Sequence, residues 1–308
     1  MKATKIISAC AVLVALASCS NDHVISQPGA EDTPIRIQAN VGAVTTKAAY
    51  NLLESSFGNG DAINVYIGQN TSNTSTSSGG PYTSMVYSCA GSTFTPTNTQ
   101  YFPANGNGID VWGVYPKTVT ESSTSQEFSI MNDQTDDDNY KASDLMFATE
   151  LINKKKGDQI SLVFAHQLSK IIVKLDQETG VNADLTNAVI KLTNVSTKVP
   201  LTKVDHTGIL LGTASTNSQD IKDLTIGKYE ANGTAAIVIP QSTTGMSFQV
   251  VLAGGGTYTA AIPSDPGNFA ANTAYTYTLK LKANGITVTA SIAAWTPGTG
   301  GNGDAILN

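Results

Sequence analysis

Short runs in which apolar and polar residues alternate one for one recur along most of this chain, while the spacing of an amphipathic helix is scarce. Ile35, Ile37, Ala39, Val41 and Ala43 alternate with Arg36, Gln38, Asn40 and Gly42, which predicts a strand with one buried face. A Gly/Asn turn at Phe57–Asp61 leads into a second strand, Ala62–Ile67, and Ser84–Ser88 and Ile109–Tyr115 follow, with Trp112 and Tyr115 supplying large areas for burial. Further on, Ala188–Leu192, Ile237–Ile239, Ser247–Leu252 and Tyr258–Ile262 read as strands between Gly/Asn/Pro turns. The clearest hairpin comes last: Tyr275, Tyr277, Leu279 and Leu281 alternate, Asn284–Gly285 suits a tight turn, and Ile286, Val288, Ala290 and Ile292 return. Trp295 closes that strand.

The pattern changes phase once in a decisive place. Within Ser161–Leu175, Leu162, Phe164 and Leu168 share one parity and Ile171, Val173 and Leu175 the other, so the apolar face must switch inside His166–Lys170. A bulge or a one-turn break there lets the chain leave one sheet and continue in another. The acidic Asp176–Gly180 that follows reads as a domain exit. The expected organisation is therefore all-β: a leader at 1–18, a tether at 19–34, a β-sandwich at 35–176 and a second at 177–308 ending in a Gly-rich tail. Phe164, Val173, Trp112 and Val65 are expected in the first core, and Tyr277, Leu279 and Trp295 in the second.

Residues 1–18 carry an address. Lys2 and Lys5 give positive charge, Ile6–Leu16 is an apolar run too short to span a bilayer, and Leu16–Cys19 ends in small residues before a cysteine, the pattern of a bacterial lipoprotein signal. Ile7–Cys10 fits the same four-residue pattern with almost no apolar run before it, so Cys19 is the expected lipidation site. Acyl chains on that sulfur, at about 0.8 kcal/mol per buried methylene, would hold the protein on the outer membrane. Ser20–Thr33 is polar and reads as a tether. Processing would leave Cys89 as the one unmodified thiol, which excludes an intramolecular disulfide and reads as a small core residue rather than a nucleophile.

Composition narrows the functional classes. Only 14% of the 308 residues are charged, and Thr, Ser, Asn and Gly dominate the polar fraction, as in extracellular β-structure. A net charge of −6 with no basic stripe argues against nucleic acid as a partner, and Lys154–Lys156 reads as a solvated turn. The sequence contains no nucleophile elbow, no phosphate-cradling glycine loop, no metal-ligand spacing and no convincing carboxylate pair, so no catalytic, cofactor-binding or metal-ligating residue is assigned. His166 as a ligand or base is weighed against a half-buried imidazole that satisfies backbone groups freed at the break, and the second reading is preferred. Gln69–Gly80 has no apolar anchor and is expected to be exposed and mobile. Lys117–Asn139 reads as a long polar insertion; its Asp133–Asp138 run offers oxygens for Ca²⁺ but lacks the glycine-centred calcium pattern, which favours a solvated loop.

Taken together, the Cys19 signal, Thr46–Ala48 ahead of Phe57 and Gly60–Tyr66, the Asp144–Ala148 segment, Phe164–Lys170, and Tyr275–Tyr277 with Ile292 and Trp295 resemble the fimbrillin family. The resemblance implies two transthyretin-like sandwiches in tandem, export as a lipoprotein, and assembly with other fimbrial subunits, as a homo- or hetero-polymer, into adhesive surface fibres facing a host or bacterial ligand. It also implies that a protease removes an N-terminal strand, here Ile35, Ile37, Ala39 and Val41, and that a strand of another subunit refills the groove. In the family the cut follows arginine. The single arginine here, Arg36, lies near the start of the strand, and the basic residue after the strand is Lys47, so both are candidate processing sites. The competing functions are a monomeric glycan-binding surface lipoprotein, which needs solvent-facing aromatics, and a non-polymerising fimbrial anchor. Substituting Cys19→Ala is expected to abolish acylation and membrane retention, because the tether has no amphipathic face to replace the lipid; metabolic labelling with a tagged fatty acid checks this, and label retained by the variant would overturn the assignment.

Overall fold

A computed structural model describes residues 33–41, 57–91, 93–228, 233–283 and 285–294. The chain from Thr33 onward forms one compact unit. In order, its strands are β1 (Ile37–Val41), β2 (Ala62–Asn70), β3 (Tyr82–Ala90), β4 (Thr93–Pro96), β5 (Gly108–Tyr115), β6 (Gln126–Ser129), β7 (Met146–Lys154), β8 (Ile160–His166) and β9 (Ser169–Gln177). They continue with β10 (Val189–Ser196), β11 (Lys198–Asp205), β12 (Gly208–Leu211), β13 (Ile221–Lys228), β14 (Thr234–Val238), β15 (Ser247–Val251), β16 (Thr257–Ala261), β17 (Thr273–Lys282) and β18 (Gly285–Ala294). One short helix, α1 (Asp137–Ala142), interrupts them between β6 and β7.

Four sheets result. The largest has the order β1-β8-β7-β5-β2-β3-β4; the others are β13-β10-β15-β16, β12-β11-β6 and β14-β9-β17-β18. The seven-stranded sheet curls until its ends meet, since Ile35 N donates to Gln100 O at 2.7 Å and Phe102 N to Thr33 O at 3.0 Å. Its concave face encloses a first core containing Ile63, Val65, Tyr87, Val111, Leu162 and Phe164. Strand alternation sends Tyr66, Trp112, Val114 and Phe147 to the opposite face, where they meet Phe128, Val199, Leu201 and Val204 from the three-stranded sheet and Ile237 from β14. This middle core joins the halves of the chain. The remaining two sheets pack face to face around Ile171, Val173, Ile190, Leu192, Phe248, Tyr277 and Leu279.

The predicted phase change is present. β8 ends at His166, β9 begins at Ser169, and the two lie in different sheets, β8 beside β1 and β7 and β9 between β14 and β17. The core assignments need two corrections. Val173 belongs to the second core with Tyr277, because the strand after the break, β9, lies between β14 and β17. Trp112 turns away from Val65 into the middle core, where it stacks on Tyr66 with ring centroids 4.1 Å apart. Trp295 and Asn284 lie outside the described residues, although β17 and β18 pair as the expected hairpin from Thr273↔Ala294 to Lys282↔Gly285.

Two long polar segments are tied to the body by hydrogen bonds and pairing, although residues 71–76 are exposed as expected. The Lys117–Asn139 insertion contains β6, paired with β11, and reaches α1. Its carboxylates have local partners: Asp136 caps α1 by accepting from Asn139 N at 2.9 Å, and Asp133 accepts from Thr135 N at 3.1 Å. The Gln69–Gly80 segment lacks an apolar anchor but has a polar one. The buried Asn70 amide donates to Thr74 O, Thr76 O and Asp110 Oδ1, and Ser78 N donates to Asp110 Oδ2 at 2.7 Å. Asn153 N on β7 completes the set with a 2.8 Å bond to Asp110 Oδ1.

Burial alone would raise the Asp110 carboxyl, but the bonds from Ser78, Asn153 and Asn70 outweigh it and hold the group below its ordinary value. Its contribution to stability is therefore complete above the unfolded value of about 4 and is lost as pH falls through the folded one. Asp110→Asn is expected to cost about 1–3 kcal/mol at neutral pH and to flatten the acid side of the stability profile, as measured by urea unfolding across pH.

Candidate functional site

The strand with the most conspicuous alternation, β1, sits at an edge. It runs parallel to β8 in the register Ile37↔Ile160, Ala39↔Leu162 and Val41↔Phe164. Ile35, Ile37, Ala39 and Val41 are all at most 9% exposed and point into the first core, while Arg36, Gln38 and Asn40 face solvent. On its outer side the strand is held by polar side chains: Gln159 Nε2 donates to Gln38 Oε1 at 2.6 Å. At its start, Pro34 bridges to Tyr101, so β1 is the last stave that closes the curled sheet. Removing it would expose both the main-chain edge of β8 and a slot lined by first-core side chains.

Phe57, which sequence reading treated as a turn residue, closes the far end of that slot. Its ring meets Phe94 and Phe164 edge-on at 5.2 Å each and Tyr115 at 5.6 Å, and Phe164 is the partner of Val41 in the register. A large apolar residue inside a Gly/Asn turn was the available signal. Arg36 is exposed and immediately precedes β1. Ala43, Lys47 and Cys19 lie outside the described residues.

His166 is fully buried at the β8–β9 break, and its Nδ1 lies 3.0 and 2.9 Å from the two oxygens of Asp144. The imidazole is thus paired with a carboxylate. Lys170, also buried, sits 5.9 Å from the centre of the Tyr140 ring. Burial pushes its ammonium down to about 8, with Asp144 acting in the opposite direction. These groups brace the point where the chain changes sheets. Among the described residues, no cluster of three or more His, Cys, Asp or Glu is placed to hold a metal ion. Cys89 is buried and its Sγ donates to Gly91 O at 3.4 Å; burial, then Asp61, raises its thiol.

A family model described as fimbrillin-like matches residues 46–295. The chain belongs to that family. A Bacteroides uniformis protein named "Putative fimbrium subunit Fim1C" is 27% identical over 312 residues, covering 98% of each chain. Two crystal structures share the fold. A "putative cell adhesion protein" of Bacteroides uniformis superposes with a TM-score of 0.64 at 21% identity, covering 88% of this chain and 100% of the other. A second, so described, from Bacteroides ovatus gives 0.64 at 18% identity, covering 86% and 98%.

Because Ile37 lies mid-slot, Ile37→Ala is expected to destabilise the protein by about 2–4 kcal/mol in urea unfolding, whereas Gln38→Ala on the outer face should change it by less than about 0.5 kcal/mol.

Proposed function

We propose that this chain is a structural subunit of cell-surface fimbriae, anchored during export through a lipid on Cys19 and assembled by strand exchange in which β1 is the strand that leaves. The observation that carries this reading is the position of β1. It is a terminal stave whose ladder runs to β8, whose start is tied to Gln100 and Phe102, and which fills a slot with four apolar side chains, counting Ile35 just before it. Ile35, Ile37 and Val41 contribute roughly 1.5–3 kcal/mol each by burial, enough to keep the subunit closed before assembly. A strand of another copy with apolar residues at every second position would recover both the main-chain bonds of β8 and the filled slot. The two sandwiches read at 35–176 and 177–308 are then the body of the subunit, with the boundary moved to before β9, since Ser169–Gln177 lies between β14 and β17. Membership of the fimbrillin-like family and the fimbrial name of the Bacteroides uniformis relative support the reading. A structural role of this kind requires no catalytic residue.

The processing site follows from where Arg36 stands. A cut after Arg36 would leave all five residues of β1 attached to the body, so release of the strand requires cleavage beyond it, and Lys47 is the basic residue available. Limited trypsin digestion of the mature protein, followed by mass spectrometry and size analysis, tests this. Cleavage after Lys47 is expected to yield an oligomer ladder that Lys47→Gln abolishes. Stable monomers after quantitative cleavage would overturn the polymerising reading in favour of an anchor or a lone surface-binding protein.

A further inference from the structure

The second sandwich has two open edges on one side, β13 in one sheet and β14 in the other. Both are occupied by a single stretch from the first half of the sequence. Asp133 bridges in parallel to Thr225 of β13, with Thr225 N donating to Asn132 O at 2.8 Å and Gln134 N to Thr225 O at 3.0 Å. The side chain of Gln134 then turns to the other sheet. Its Oε1 accepts from Ile237 N at 2.8 Å and its Nε2 donates to Ile237 O at 2.9 Å, so one amide substitutes for the neighbouring strand that β14 lacks. Gln134 is 3% exposed, and a third bond, from Nε2 to Met131 O at 3.1 Å, holds the amide in that orientation. The stretch is itself fixed at its start, where Ile130 N donates to Thr197 O at 2.9 Å and the Ile130 side chain enters the middle core.

We infer that Ile130–Gln134 is an internally donated edge strand whose docking surface is the paired edge of β13 and β14, so that the second sandwich is completed by a segment of the first half of the chain. The contact reads main chain on one sheet and side chain on the other. An unpaired amide and carbonyl at Ile237 would otherwise stand at a buried edge, an arrangement that native proteins avoid. The inference is independent of whether β1 is exchanged.

Hydrogen exchange on the full mature chain tests it, with Gln134→Met removing both bonds to Ile237 at nearly constant side-chain length. Amides of Ala235–Val238 and, across the gap, of Leu224–Ile226 are expected to exchange roughly ten- to a hundredfold faster, while those of Ile63–Ile67 in β2 keep their wild-type rate. The response of Leu224–Ile226 is the decisive part, because a purely local cap would speed Ile237 alone. Unchanged exchange at Leu224–Ile226 would overturn the inference. If Gln134→Met does not fold, Gln134→Glu, which keeps the acceptor for Ile237 N and loses the donor, is read in the same way: acceleration on both strands supports the donated edge, and acceleration confined to β14 overturns it.

Discussion

A sheet with two apolar faces must be covered twice, and this requirement shapes the molecule. All eight residues of β5 are buried, with Val111 turned into the concave core while Trp112 and Val114 are turned out of it. Antiparallel sheets commonly leave one face to water, but stacked Trp112 and Tyr66 on the convex face exclude that solution here. The cover is assembled from distant parts of the sequence: Phe128 from the insertion, Val199, Leu201 and Val204 from β11, and Ile237 from β14. Strand β14 serves two cores at once, with Ala236 and Val238 on one face and Ile237 on the other. The halves are therefore joined through a shared apolar layer, which accounts for the single compact unit from Thr33 onward.

The elements legible in the sequence are the short apolar or alternating runs bounded by Gly, Asn or Pro turns: β1, β2, β3, β5, β10, β14, β15, β16 and the β17–β18 hairpin. The break between β8 and β9 was legible for the same reason, as a change of parity between Phe164 and Ile171. Strand β11 escaped because its period is interrupted twice, by Pro200 in its interior and by a register shift between Leu201 and Lys203 that moves Val204 out of step. In β13, Leu224 and Ile226 are surrounded by Lys222, Asp223 and Thr225, too few apolar residues to carry a pattern. The anchoring of Gln69–Gly80 was beyond any hydropathy argument, since Asn70 and Asp110 do by hydrogen bonding what an apolar side chain does by burial. At the candidate site, the alternating face of β1 was visible from Ile35 to Val41, but its partner is more than a hundred residues away in β8, and only the fold brings Phe57 to the end of the slot.

The contrast among the sheet edges bears on why β1, rather than another strand, is the one proposed to exchange. Strands β13 and β14 are stopped by Asn132–Gln134, and β16 and β18 lie alongside each other on the opposite side of the same sandwich. Strands β4, β6 and β12 span four residues each, too few to offer a long ladder to a visiting chain. β1 has five residues and, with Ile35 just before it, turns four buried apolar side chains into the first core. Its pairing is also parallel, the geometry with slightly weaker hydrogen bonding per residue. An incoming strand running antiparallel to β8 would bond more favourably while presenting the same every-second-residue face to the slot. The apolar side chains thus keep the closed subunit intact, and the strand direction leaves room for a better partner: what holds β1 in place is burial more than its ladder.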